Sequence, residues 1–206
     1  MNERTERLLQ QIIDYAERCF SVTVFALFLV RMSYSFSIKP YNILSVISEG
    51  LVAAFIVFRR PAQTMTTRPI DWLTAFCGTF LPMMVVSGGK PLAPAVVGTV
   101  LMFGGLLLAT WAKLSLRRSF GLAAANRGVV GKGPYRIVRH PMYAGYLLVH
   151  IGFLLMNPEL WNLGLYMFVW ALQIGRILAE ERLLGLDPAY LAFSGRVRYR
   201  LAPGVF

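Results

Sequence analysis

The run Gly133-Pro-Tyr-Arg-Ile-Val-Arg-His-Pro-Met-Tyr-Ala-Gly145 joins a basic loop to an apolar helix, and the only adjacent glutamates in the chain, Glu180 and Glu181, follow one helical hairpin later. A histidine set between Arg139 and Pro141 at the mouth of an apolar segment, with Tyr143 close behind, is too polar for anchoring alone. Brought near a second polar cluster, it suggests a ligand site. The remainder of the chain reads as the membrane scaffold that holds these two clusters together.

Of the 206 residues 56% are apolar and 15% charged, and the mean hydropathy is +0.56. That balance lies outside the range of a soluble domain and places the chain in a bilayer. Six apolar stretches stand out: Cys19 to Phe36, Ile43 to Phe58, Ile70 to Ser87, Pro94 to Ala112, Met142 to Met156 and Trp161 to Ala179. At about 1.5 Å per residue most approach the length that crosses roughly 30 Å of hydrocarbon, the second and fifth being short. The expected fold is all-α, a polytopic transmembrane helical bundle of about six spans.

The basic residues set its orientation. With six spans, 18 of the 21 Lys and Arg fall on one side: Arg4, Arg7 and Arg18 before the first span, Arg59, Arg60 and Arg68 in the second loop, seven between Lys113 and Arg139, and five from Arg176 to Arg200. The opposite loops hold only Lys39 and Lys90. The positive-inside rule then puts both termini in the cytoplasm of a cytoplasmic or inner membrane. This distribution also explains the net charge of +11 through topology and anionic lipid headgroups, with Arg196, Arg198 and Arg200 as headgroup contacts, so nucleic acid is not an expected partner. Trp72, Trp111 and Trp161 fall at helix ends as an aromatic belt would.

The first eighteen residues mix acidic and basic side chains with no small-residue cleavage pattern; they read as an amphipathic lead-in helix and not as a removable signal. Cys19 and Cys77 are too few for a disulfide framework or a metal site, and free thiols are expected. Arg31 and Glu49 lie on consecutive spans, each nine residues from Pro40, which predicts an ion pair between helices one and two. His150 and Gln173 suit interhelical hydrogen bonds. Pro82, inside the third span, should bend that helix or mark where it lines a cavity.

Between Ala112 and Arg139 the chain is punctuated by Gly121, Gly128, Gly131 and Gly133, which let a backbone approach a ligand closely. Pro134 and Pro141 bracket a stiff segment carrying Arg136, Arg139 and His140 at the mouth of the fifth helix. Asn157-Pro158 is a turn signal, so the last two helices should be adjacent and antiparallel, returning Glu180 to the His140 end. Arg176 and Glu180, four apart on one face, can pair or sit on two sides of a pocket.

Arg139-His-Pro-Met-Tyr143-Ala-Gly145, the upstream Gly133-Pro-Tyr135 and the downstream Glu180-Glu181 together resemble the isoprenylcysteine carboxyl methyltransferases and the related phospholipid N-methyltransferases, over roughly Leu114 to Pro203. The resemblance implies an integral membrane enzyme that uses S-adenosyl-L-methionine enclosed by the cytoplasmic loops and the last two helices. It implies that Gly128, Val129, Val130 and Gly131 give backbone contacts to the cofactor, that Tyr135, His140, Pro141 and Tyr143 line its pocket, and that Glu180 binds it from the opposite side. Arg176 matches a position facing the substrate carboxylate, and Glu181 stands as a second catalytic candidate. Two features depart from the family pattern: Arg127 stands where the eukaryotic enzymes carry a histidine, and the helix after Glu181 is interrupted by Asp187-Pro188.

The chain thus divides into residues 1–112, the lead-in helix and four spans, and 113–206, a methyltransferase region with cytoplasmic loop, two spans and basic tail. The first acceptor to consider is a carboxylate on an isoprenylcysteine-like lipophilic molecule entering from the bilayer. Its pKa of about 3.5 leaves it ionised, needing only a cation such as Arg176 to orient it. A phospholipid amine is the alternative, and it would call on Glu181 or His140 as base. The rival class is a non-catalytic transport or assembly protein.

Overall fold

A computed structural model describes residues 3–33, 54, 57–58, 60, 62 and 64–205, and these are mostly α-helical. In chain order they form α1 (Glu3–Ser33), a short strand β1 (Thr64–Met65), α2 (Pro69–Phe80) prolonged by a 3-10 turn (Leu81–Met84), α3 (Ala95–Leu116) with a 3-10 turn (Arg117–Ser119), β2 (Ala125–Asn126), a 3-10 turn (Gly133–Arg136), α4 (Pro141–Met156), α5 (Leu160–Leu184) and α6 (Pro188–Arg196).

Among the described residues two helices are long and apolar enough to cross a membrane, α3 with its following turn and α5. Their 22 and 25 residues correspond to about 33 and 37 Å of helix. The 16 residues of α4 are apolar but shorter. The lead-in segment and the first expected span are one continuous helix, α1. The second expected span lies outside the described residues apart from 54, 57 and 58, and so does Glu49 with its expected partner, the Arg31 side chain. In the third, the α-helix stops at Phe80 and gives way to the 3-10 turn at Pro82, because proline lacks the amide that would continue the ladder.

The tightest helix pair is α3 against α4, and glycine is the reason. A Cβ on Gly105 would lie 2.5 Å from the Gly145 carbonyl, one on Gly145 would lie 2.6 Å from that of Gly105, and one on Gly152 would lie 2.7 Å from that of Gly98. The pairing of 105 with 145 and 98 with 152 makes the helices antiparallel. Small residues at such a seam let backbones approach where lipid offers no hydrophobic driving force. A second antiparallel pair is α2 with α5, tied by Arg182 to Asp71 at 2.6 Å and by Gln173 Nε2, which donates to the Gly78 carbonyl at 3.0 Å.

The expected antiparallel adjacency of α4 and α5 is present, carried by side chains more than by backbones. Each packs its backbone mainly on another partner, α4 on α3 and α5 on α2, and bulky side chains fill the space between them. His150 stacks on Tyr166 with ring centres 4.2 Å apart, and Trp170 Nε1 donates to His150 Nδ1 at 3.2 Å. The turn Asn157-Pro158 is present, yet the aromatic side chains hold the helices apart until their site-bearing ends.

The two expected basic loops meet on one face. β1 and β2 pair antiparallel with Thr64 opposite Asn126, and the Arg60 amide donates to the Arg118 carbonyl at 2.7 Å. This small ladder is an addition to the all-α expectation.

Replacing Gly105 by alanine should destabilise the protein by about 1–3 kcal/mol through overpacking. Gly104→Ala, one residue away and with nothing within 4 Å of its added Cβ, should be neutral or stabilising by up to about 1 kcal/mol. Thermal unfolding of both variants in detergent checks the contrast.

Candidate functional site

Pro141 starts α4 at a position where its missing amide costs nothing, and this leaves His140 at the helix mouth. Gly133 brings the preceding turn in close. It has φ +59°, and a Cβ there would stand 2.5 Å from Ser115 Oγ on α3, so both conformation and space require glycine. The turn that follows buries Tyr135 and Pro134. From behind, the C-terminal tail runs alongside: the Arg139 amide donates to the Tyr199 carbonyl and the His140 amide to the Arg200 carbonyl, each at 2.9 Å.

Both ring nitrogens of His140 face carboxylates. Nε2 is 3.1 Å from Glu181 Oε1 and Nδ1 is 3.6 Å from Glu180 Oε2. A neutral imidazole has one donor nitrogen, so this geometry favours the doubly protonated cation. Burial alone would lower the His140 pKa, but the hydrogen bonds and charges of Glu180 and Glu181 outweigh it and the net direction is upward. Burial, followed by the charge of Glu180, pushes the Tyr135 hydroxyl well above its usual range, so it remains a neutral donor.

The neighbouring glutamates are put to different uses. Glu180 accepts from the Tyr143 hydroxyl and lines a cleft together with Gly128, Val129, Val130, Tyr135, His140 and Tyr143. The cleft is narrow, with a cavity volume of about 110 Å³. Glu181 does not line the cleft. It is held by Arg200 Nε at 2.7 Å and Arg139 Nε at 3.0 Å as well as by His140, so it fastens the tail to the helix mouth. Arg200, expected at lipid headgroups, is engaged here instead. Pro141 is buried behind the cleft wall, and Gly131 lies just outside it against Phe193, with its own added Cβ 3.4 Å from that ring. Arg176 is in neither place: it lines a second cavity, with its guanidinium 5.3 Å from the Tyr143 ring centre. Arg176 and Glu180 therefore sit on two sides of Tyr143.

Several lining residues escaped the sequence reading. Phe120, Tyr190 and Phe193 all face the cleft, beside Arg139, which the stiff segment had already placed at the helix mouth. Tyr190 and Phe193 come from α6, which exists because Asp187 caps it, accepting from the Ala189 amide at 2.8 Å, and is tied to the loop by Asn126 Nδ2 at 2.8 Å. The Asp187-Pro188 interruption thus folds a short helix over the cleft. Arg127 is buried and pairs with Asp14 at 3.2 Å and Glu17 at 3.6 Å on α1, while Glu17 also accepts from the Leu122 amide at 2.6 Å. The acidic residues of the lead-in helix hold the glycine-punctuated loop. Their only sequence signal was scarcity, the chain having ten acidic residues in all.

Fold and site together define a helical protein with, among the described residues, two helices able to cross a bilayer and a polar, aromatic-lined cleft. Residues 93–185 match the phospholipid methyltransferase family, which bears out the resemblance carried by Gly133 to Gly145 and Glu180-Glu181. The match starts before α3, earlier than the motifs do, and takes in the helix whose glycines seat α4. No curated protein matches the chain. A solved structure similar to it is that of the eukaryotic intramembrane Ras methyltransferase, isoprenylcysteine carboxyl methyltransferase, at 19% identity and a TM-score of 0.47, covering 100% of this chain and 88% of that chain.

Two measurements test the division of labour. Glu181→Gln should lower the melting temperature, costing about 1–3 kcal/mol by leaving Arg139, His140 and Arg200 without their carboxylate, whereas Glu180→Gln should affect stability less and ligand affinity more. Because His140 has a raised pKa in the folded state, its contribution to stability is complete below the unfolded value of about 6.5 and is lost as pH rises through the folded value. Melting curves across that window should fall for the native protein and flatten for His140→Gln.

Proposed function

We propose that this protein is an integral membrane methyltransferase that uses S-adenosyl-L-methionine and methylates the carboxylate of an isoprenylcysteine-like lipophilic acceptor. The observation that carries the reading is that Glu180 and His140, from separate helices, line one cleft with the backbone of residues 128–130 and a ring of aromatics. The family match over residues 93–185 supports methyl transfer as the reaction class. The meeting of both basic loops on one face supports a multi-pass arrangement with the cleft toward the cytoplasm.

The donor set fits the cofactor. Aromatic faces and a carboxylate suit a sulfonium cation. Arg127, Arg139 and His140 line the cleft with positive charge, each already paired with an acidic residue of this chain, and the buried Tyr190 hydroxyl has no well-formed hydrogen bond among the described residues. When bound, S-adenosyl-L-methionine supplies an electrophilic methyl group. Glu180 would face its positive charge, Tyr143 would hold the Glu180 carboxylate in place, and residues 128–131 would contact it through backbone groups. Arg176, in the adjoining cavity, would orient the acceptor carboxylate.

What remains for the protein is positioning, which can supply effective molarities of about 10⁵ M or more. An ionised carboxylate needs no base. An amine would need one, and the candidates are engaged: Glu181 by three cations and His140 by two carboxylates. That favours the carboxylate. The family description itself favours the second reading, N-methylation of a phospholipid amine.

Cofactor titrated into detergent-purified protein should bind saturably, and Glu180→Ala should weaken it by tenfold or more, roughly the worth of a charged hydrogen bond. Full affinity in that variant would refute the assigned pocket. With methyl-labelled cofactor and membranes, a base-labile ester is the expected product. A stable methylamine would establish the second reading, and no transfer at all the non-catalytic one.

A further inference from the structure

A second cavity adjoins the cleft inside the bundle, and Phe120 and Met142 line both. Its polar lining is one-sided. Lys113, His150, Gln173, Arg176 and Thr79 contribute to it, and among the described residues no carboxylate does.

Lys113 is the unusual member. It sits in the last turn of α3, where a lysine ordinarily extends its ammonium to water, as the exposed Arg117 and Arg118 of the next turn do. Lys113 is instead only 7% exposed. Its ammonium forms no hydrogen bond or ion pair with any described residue and lies over the Tyr146 ring, 5.6 Å from the centroid. The side chain is thus largely buried, and the three donors of its ammonium have no protein acceptor among the described residues. Arg176 is satisfied by neutral groups alone: Nη1 donates to Gln173 Oε1 at 3.2 Å and to Thr79 Oγ1 at 3.4 Å, and Nη2 to the Leu122 carbonyl at 3.0 Å. Glu180, one turn further along α5, is the nearest acid by sequence, but it faces the other cleft and is held there by Tyr143 and His140. His150 Nδ1 accepts from Trp170, so a neutral His150 ring carries its proton on Nε2 as a further donor. Among the described residues neither cation has an acidic group within ion-pairing distance, although Arg176 feels the charge of Glu180 across Tyr143, and such cations are costly inside a helix bundle unless an anion joins them.

We infer that Lys113 and Arg176 together form an anion subsite that receives a negatively charged oxygen group, carboxylate or phosphate, on the lipophilic acceptor. The inference rests on the methyltransferase reading for the word acceptor, and on the lining of this cavity for the rest. Apolar neighbours, Met83, Pro82 and Met142, suit the chain attached to that group. Lys113 is then the residue that makes the enzyme select anionic lipids over neutral ones.

The full chain in detergent is titrated with two matched pairs of probes: an S-farnesyl N-acetylcysteine and its carboxamide, and a phosphatidic acid and the corresponding diacylglycerol. At least one charged member should bind roughly tenfold more tightly than its neutral counterpart, the worth of one charge-assisted hydrogen bond. Lys113→Met should abolish that preference and Lys113→Arg should keep most of it. Lys113→Met removes a buried charge, so it should melt no lower than the native protein when no lipid is present. Preference for the carboxylate pair assigns the subsite to the reacting group; preference for the phosphate pair assigns it to a headgroup phosphate. Equal affinity within both pairs, or a preference that survives Lys113→Met, overturns the proposal. Cofactor titrations on the same samples separate the two claims: charge preference without cofactor binding sinks the methyltransferase reading and leaves the subsite, and cofactor binding without charge preference does the reverse.

Discussion

The imidazole of His140, set between the carboxylates of Glu180 and Glu181, is the interaction on which the site depends. Successive residues of a helix project about 100° apart, so two adjacent glutamates cannot face one compartment equally. Glu180 turns into the cleft, and Glu181 turns toward the tail, where Arg139 and Arg200 hold it. His140 reaches both because its backbone is fixed from two directions, by Pro141 opening α4 and by the tail carbonyl of Arg200. Moving any one of these elements would separate a buried cation from its counter-charges, which low-dielectric surroundings penalise heavily.

That cluster can form only if α4 and α5 arrive at the same place, yet their backbones hardly support one another. α4 is seated by the glycine seam with α3, and α5 by Asp71 and Gln173 against α2. The site is therefore a junction of two helix pairs. Rings such as His150, Tyr166 and Trp170 keep the pairs apart deeper in the bundle, which leaves room for the cavity beside the cleft.

Much of this was legible in the sequence, and the losses have physical causes. The boundaries of α4 and α5 followed from apolar runs ended by Pro141, Asn157 and Pro158, and the meeting of His140 with the glutamates followed from the turn between them. The partner choice of α4 was not read, because Gly98, Gly105, Gly145 and Gly152 show their purpose only when two helices are paired in register. The pairing of Arg127 with Asp14 and Glu17 was missed for a related reason: an ion pair spanning more than a hundred residues leaves no local pattern. Asp187-Pro188 read as an interruption, since a helix break and a helix cap look alike until the second helix is seen to cover something.

The distribution of charge between the two compartments follows from Tyr143. Its hydroxyl bonds Glu180 in the cleft while its ring lies under the Arg176 guanidinium in the cavity. A residue with a polar tip and a negative π face can satisfy an acceptor on one side and a cation on the other, and a smaller or aliphatic residue could do neither. With Tyr143 as the partition, Glu180 is kept from pairing with Arg176 four residues away, as helical spacing would otherwise allow. The cleft therefore retains a carboxylate suited to a cationic ligand, and the cavity retains cations suited to an anionic one. Opposite charges that would cancel as a surface ion pair are instead held facing separate spaces, with Phe120 and Met142 lining both.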